Sequence, residues 1–436
     1  METRRLPEAE TGHDAWSAFR RGLAWTAYSA WHATAYVATR CAYASADESR
    51  IDELRGRALA RWCESLGPLA IKAGQILGSR GDIWRPTTAA HAVRLQDKVR
   101  ALSGADALNA IDAAYEGAAA RVFERVDPIP IGAGAIAQIH AGRLHDGRMV
   151  AIKVLRPRMR AELDRDLRIL SFAARCLARA RALRAVPIEA GVKHVAFAMR
   201  RQVDLAAECD SQMRLREALS RQNGVLVPEP FPHLSSASVL VMELVPDCVR
   251  LDRCLDRDVA RAAVRSGLRA LYSMLFEIGT VHCDMHMGNT PIYGSRLVLL
   301  DFGIVATLDP PARVAFRDFF LGLAFGDGLQ CARILSETSL HRTAEFDADR
   351  FTDAVVQLTT MYSRRPARSF GVTTFVGDLF DCMRRNGVVG SPDFIMALVA
   401  LVTYEGTVRT VDPDLDFQAE ASPFAASALL ECARWN

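Results

Sequence analysis

Asp301-Phe302-Gly303 follows directly on a short apolar run, Leu297 to Leu300, and this pairing limits the chain more than any other feature. Twelve residues before Asp301 stands Asn289, and five before that stands Asp284, in the string His282-Cys283-Asp284-Met285-His286-Met287-Gly288-Asn289. A carboxylate at the end of a brief strand is placed to hold a divalent metal. Asn289 adds a neutral oxygen for the same metal, and Asp284 is placed to orient an attacking hydroxyl or take its proton. Hard oxygen ligands with open positions suit Mg2+ bridging the phosphates of ATP.

Phosphates need a second wall, and the region from Gly132 to Lys153 supplies one. Gly132-Ala133-Gly134-Ala135-Ile136-Ala137 is a run of mostly small residues between two strand-like segments. Such a loop lets backbone N–H groups approach phosphate oxygens closely. Ile139 opens the next strand, and Val150-Ala151-Ile152-Lys153 ends a second one after a turn from Gly142 to Gly147. An ammonium on that strand faces the same phosphates as the loop. Either element alone is common: a Gly-x-Gly is usually an ordinary turn, and a strand lysine usually points to water.

Order makes the set specific. Small-residue loop, strand lysine, the hinge-like Val241-Met242-Glu243-Leu244-Val245, the Asp284/Asn289 loop and Asp301-Phe302-Gly303 appear in the order and spacing of protein kinases. Glu243 and Val245 are the hinge positions expected to meet a nucleotide base. Lys153 needs an acidic partner, and spacing alone leaves Glu162 and Glu208 both open. After Gly303 the chain enters helix at Pro310-Pro311, with no long activation segment and no Ala-Pro-Glu, so a platform for protein substrates is missing.

The expected fold class is therefore α+β, a bilobal protein-kinase-like fold with an N-terminal helical extension, mostly helical overall. Residues 14 to 125 read almost entirely as helix, strand character begins near Ile129, and everything after Pro310 reads as helix. Expected divisions are an extension at 1–127, a strand-containing lobe at 128–247 and a helical lobe at 248–436.

Bulk properties narrow the partners. Half of the 436 residues are apolar, and 54 basic against 51 acidic side chains leave a net charge of only +3, which gives no reason to expect nucleic acid. Ten cysteines without a Cys-x-x-Cys pair read as reduced thiols of a cytosolic protein, and Cys283 as a small residue filling a packed turn. Gly22 to Thr39 carries no Lys, Arg, Asp or Glu and has Trp25, Tyr28, Trp31 and Tyr36 at mostly helical spacing. It reads either as a helix packed on the rest of the protein or as an interfacial helix lying on the inner face of a membrane. Phe394 to Tyr404 is too short to span a bilayer and reads as a core helix.

These residues, together with others upstream, resemble the UbiB/AarF/ADCK family of atypical kinases. The strongest match is Leu66-Gly67-Pro68-Leu69-Ala70-Ile71-Lys72-Ala73-Gly74-Gln75, followed by Leu95-Gln96-Asp97, which looks like the family's Lys-x-Gly-Gln signature and its downstream partner. The resemblance implies that Lys72 and Gln75 restrict access of proteins to the site. It also implies Glu208, which with Asp204 resembles the family's acidic helix motif, as the partner of Lys153. Arg156-Pro157 and Tyr404-Glu405-Gly406 continue the match. The family usually has an alanine-rich loop ending in Ser where this chain has Gly132-Ala133-Gly134-Ala135, which leaves the nucleotide preference open. Met287 replaces a common proline.

Three functions are consistent with these residues. The first is an ATPase or a phosphotransferase acting on a small molecule or lipid, using ATP and Mg2+, with a place in isoprenoid-quinone (ubiquinone) metabolism that the resemblance alone implies. The second is a small-molecule kinase of the aminoglycoside or choline type, which lacks the Lys-x-Gly-Gln extension. The third is a non-catalytic, nucleotide-dependent lipid-binding scaffold, which has no need for the intact Asp284, Asn289 and Asp301.

Overall fold

The computed structural model describes residues 9–43, 47–67, 69–71, 73–74, 81, 88, 91, 101–179, 188–363, 370–421 and 423–424. Lys72, Gln75 and Leu95-Gln96-Asp97 lie outside the described residues, and with them the expected access restriction.

A four-stranded antiparallel sheet forms the smaller lobe, in the order β1 (Phe123–Ala133), β2 (Ala137–Leu144), β3 (Met149–Leu155), β5 (Val239–Glu243). Strand geometry sends alternate side chains to opposite faces. On β3, Val150, Ile152 and Val154 therefore join Phe123, Leu144, Phe231 and Val241 in a core against α3 (Gly104–Ala114). Leu155, on the other face, packs with Met159, Leu163, Val195, Met199 and Leu205. These come from α5 (Met159–Ala178), α6 (Ile188–Gln202) and α7 (Leu205–Ala218). Lys153 shares the parity of Leu155, so it is directed to the helix side by the same alternation that builds the core.

β1 starts at Phe123, ahead of the expected boundary near Ile129. It is an edge strand whose outward positions include Glu124 and Arg125, so no apolar alternation announces it. A one-turn helix, α4 (Ala119–Val122), leads into it.

The larger lobe is built on α8 (Arg257–Ser273) and α13 (Pro392–Val411), with α9 (Pro310–Phe325), α10 (Gly328–Glu337), α11 (Ala348–Ser363) and α12 (Val372–Arg385) around them. At Gly267 the two central helices meet so closely that a Cβ would stand 1.9 Å from the Tyr404 hydroxyl. That hydroxyl donates to the Val264 carbonyl at 2.9 Å. α13 is long and apolar enough to cross a membrane by length and composition, but 61% of its most apolar window is buried in the core. It is longer than the apolar run that suggests it, and its role as a core helix is as expected. Helix is not continuous after Pro310: β10 (Ser339–Arg342) and β11 (Val388–Gly390) pair antiparallel, two strands too short to carry a recognisable pattern.

The extension begins with one helix, α1 (Ala9–Ala42), packed on α2 (Glu48–Leu66) and on α5. Arg21 ties all three together, donating to the Leu66 carbonyl at 2.6 Å and pairing with Asp166 at 3.1 Å. Packing takes only part of α1: Leu23, Trp31 and Val37 are exposed, Trp31 by 71%. Gly81 reaches the larger lobe, where a Cβ would collide with the Phe380 ring at 2.2 Å and Arg384 lies 3.5 Å from its carbonyl.

Candidate functional site

Three segments remote in sequence converge at Lys153. β3 sits between β2 and β5, with Lys153 opposite Ile139 on one side and Leu240 on the other. Its Nζ donates to Glu208 Oε1 at 2.7 Å and Oε2 at 2.9 Å, and to Asp301 Oδ1 at 3.0 Å. Glu208 lies in the first turn of α7, whose start is capped by Asp204 accepting from the Ala206 N–H. The structure thus selects Glu208. Glu162, in the first turn of α5, instead borders an open depression with Asp106 and Pro157.

Burial pulls the Lys153 ammonium toward neutrality, but Asp301 and Glu208 together override it and hold its pKa above the ordinary lysine value. Burial raises the Glu208 pKa even beside Lys153, so the carboxylate that faces the mouth of the cleft, and could meet a divalent cation, is half-exposed Asp301.

The Asp284 loop is held from below. β6 (Thr280–His282) pairs with β9 (Val305–Thr307), while β7 (Ile292–Tyr293) and β8 (Arg296–Val298) form a hairpin with β4 (Val225–Leu226) alongside β8. His282 is fully buried between these pairs, and burial lowers its pKa, so it is neutral. Its Nε2 faces the Leu300 carbonyl at 3.0 Å, and its Nδ1 accepts from the Asp284 N–H at 3.1 Å. Those two partners fix the proton on Nε2. One ring therefore locks the Asp284 loop to the strand end before Asp301. Sequence reasoning quotes His282 and assigns it nothing; its position two residues before Asp284 is the signal that could have found it.

Asn289 Nδ2 donates to the Asp284 carbonyl at 3.0 Å and to Asp284 Oδ2 at 3.1 Å. Both partners are acceptors, so the amide nitrogen must face Asp284 and the amide oxygen must face away. Asp284 Oδ2 also lies 3.6 Å from His286 Nε2. Asp301 has φ +62°, a left-handed backbone that is unusual outside glycine, and its Oδ1 accepts from the Gly303 N–H at 3.3 Å. No group of three or more His, Cys, Asp or Glu with metal-binding geometry occurs among the described residues. A metal here would take the Asp301 carboxylate, the Asn289 amide oxygen and ligand phosphates, the arrangement Mg2+ favours.

The small-residue loop closes tightly. The Gly134 N–H donates to the Ala137 carbonyl at 2.9 Å, Arg156 Nε donates to the Gly134 carbonyl at 3.0 Å, and the Arg156 N–H to the Ile136 carbonyl at 2.9 Å. Arg156, which sequence reasoning notes only as part of a resemblance, is thus the clasp of the loop. Gly132 lies beside Ile139, and Ala137 is buried with the helix-side core. Ala133 is exposed. Ala135 is only 2% exposed and borders the same depression as α3, so the loop tip is tucked under rather than held out in solvent. Neither Gly132 nor Gly134 has a positive φ, and a Cβ on either would meet nothing nearer than 3.6 Å. Their small size is not required by the protein's own packing.

At the hinge, the Glu243 N–H donates to the Glu229 carbonyl at 2.7 Å and its carboxylate accepts from the Glu229 N–H at 3.2 Å. The Leu244 N–H donates to the Met149 carbonyl at 3.3 Å, and Val245 is half-buried where the chain leaves the sheet. The late Tyr404-Glu405-Gly406 segment is structural. Buried Glu405 accepts from the Val372 and Thr373 N–H groups at 3.1 and 2.6 Å, capping α12, and Thr407 Oγ1 donates to the Met285 carbonyl beneath the Asp284 loop.

Two family models match the chain: the ABC1 atypical kinase-like domain over residues 94–335 and the UbiB helical domain over residues 356–416. The Rv3197–erythromycin complex from Mycobacterium tuberculosis is similar in fold, with a TM-score of 0.55 and 16% identity over 74% of this chain and 84% of that one. The Rio2 kinase-ADP/Mg2+-phosphoaspartate complex from Chaetomium thermophilum overlaps with a TM-score of 0.30 and 14% identity over 74% and 76%, too loosely to argue from.

Proposed function

The chain belongs to the UbiB/AarF/ADCK family of atypical kinase-like proteins, and we propose that it binds Mg-ATP and acts as an ATPase or a phosphotransferase toward a small molecule or lipid. The observation that carries this reading is the Lys153 ammonium held at once by Glu208 from one lobe and Asp301 from the other. A purely structural ion pair does not need a second, half-exposed carboxylate on a strained backbone.

In this reading Lys153 turns from Asp301 to the phosphates when nucleotide enters, and Glu208 keeps the ammonium in place. The small-residue loop from Gly132 to Ala137 closes over the phosphates, and the strand end from Glu243 to Val245 meets the base. Asp301 and the Asn289 amide oxygen would hold a metal, which when bound would neutralise charge on the phosphates. Asp284, steadied by Asn289, receives the proton of the attacking hydroxyl. His282 keeps Asp284 and Asp301 in fixed register. A role beside isoprenoid-quinone metabolism rests on the family resemblance, and a place on the face of a membrane on the exposed Leu23, Trp31 and Val37 of α1.

ATP turnover by the purified protein, with and without lipid vesicles, tests this reading beside Asp301→Asn and Lys153→Ala. Turnover lost in both supports it, and turnover unchanged in both overturns it.

A further inference from the structure

The larger lobe holds a cavity of 310 Å³ beside the C-terminal end of α8. Its walls come from Tyr272 and Phe276, from Phe320 and Leu321 of α9, from Phe370, and from Phe417, Ala421 and Phe424. This volume lies at the lower end of the range for small-molecule sites, which span about 300–1,000 Å³.

What the walls offer decides what fits. The polar groups among them are already committed within the protein. The Tyr272 hydroxyl donates to the Phe417 carbonyl at 2.8 Å, the Tyr362 hydroxyl donates to Asp378 at 2.6 Å, and Arg317 pairs with Asp318 at 2.9 Å. Ser363 Oγ donates to the Thr360 carbonyl at 3.5 Å, Gln418 is engaged as well, and the rest of the lining is aromatic and aliphatic. Phe276 is in ring contact with Tyr272, Phe316, Phe320 and Phe424 at centroid distances of 5.9 to 6.5 Å. A charged ligand would lose its hydration here to polar groups already engaged with one another, whereas an apolar one loses nothing.

We propose that this cavity is a binding site for an uncharged apolar molecule, a hydrocarbon chain or a single ring carrying one. Its position gives the site a mechanical address. Phe276 lies in a π-helical turn, Met274–Ile278, inserted between α8 and β6. Such turns are frequent at functional positions. The sulfur of Met274 accepts from the His282 N–H at 3.4 Å, and the Gly279 N–H returns to the Met274 carbonyl at 2.9 Å. An occupant would therefore rest on the turn that seats His282.

The test needs no nucleotide, so it stands or falls apart from the proposed activity. Diphenylhexatriene, neutral and dark in water, is titrated with the full chain. Saturable one-to-one fluorescence is expected, displaced by decanol and at least about tenfold more weakly by decanoate, whose charge must be desolvated. Ala421→Trp and Leu321→Trp fill the cavity and are expected to abolish the signal while keeping the wild-type melting temperature. On the unaltered protein, decanol is expected to slow hydrogen exchange in 317–324 and 417–421. Absent saturation, equal competition by decanoate, full binding in folded forms of both tryptophan variants, or slowing confined to other segments would each overturn the proposal.

Discussion

Glu208 on α7 and Asp301 beyond β8 reach the same ammonium, at 2.7 and 3.0 Å, from opposite lobes and in opposite settings. The Glu208 side chain is 3% exposed, in regular helix, with both oxygens on Lys153. That of Asp301 is 46% exposed, on a left-handed backbone that costs on the order of 1–3 kcal/mol. One carboxylate is spent on holding the lysine; the other is kept reachable. Burial and backbone, rather than residue type, thus set a fully engaged carboxylate apart from a reachable one.

The sharpest way to break that comparison is to neutralise the reachable partner. Asp301→Asn is expected to cut ATP turnover by about 10²–10³-fold, the scale of losing one electrostatic contact to the reacting group. Its melting temperature should stay within a few degrees of wild type, because the side chain is half in water. A large drop in melting temperature would make Asp301 structural as well. Removing the shared lysine reverses the emphasis. Lys153→Met leaves Glu208 buried and unpaired, at a cost of about 3–5 kcal/mol in denaturant unfolding. Adding Glu208→Gln should recover much of that loss, whereas adding Asp301→Asn should recover little; equal recovery would erase the distinction.

Smaller effects sharpen the picture around the pair. Gly132→Ala and Gly134→Ala should change stability by no more than about 1 kcal/mol, in the stabilising direction, since neither backbone nor neighbours demand glycine there. An altered nucleotide preference in these variants at unchanged stability would locate the role of the loop in the ligand. The smallest expected effect is at Cys283. Burial pushes its thiol up to about 12, so alkylation at pH 8 should label exposed Cys41 and Cys176 and leave Cys283 intact in the native protein. Rapid labelling of Cys283, read by peptide mass, would show an open Asp284 loop.

The comparison also explains what could be read from the chain beforehand. That Lys153 meets Asp301, and Asn289 meets Asp284, was legible because these residue types stand at the fixed spacing of a kinase-like chain. The choice between Glu162 and Glu208 was not, since both begin helices and only the packing of α7 against β5 decides which faces Lys153. β1 was placed late because an edge strand tolerates charges on its outward face. β10 and β11 were missed because each is too short to show a period. His282 and Arg156 act through hydrogen bonds to backbone carbonyls of distant segments, and backbone carbonyls leave no mark in a sequence. Gly267 owes its identity to a hydroxyl far along the chain, at Tyr404.

The grip of the extension on both lobes has a consequence for motion. The lobes are joined covalently where the chain passes from Glu243 to Val245, and a second time where Gly81 sits against Phe380 and Arg384 while Arg21 fastens α1 and α2 to α5. A bilobal protein with one joint opens like a book. Contacts of the extension on both lobes bring the N-terminal helices, as well as the hinge, to bear on the breathing of the cleft.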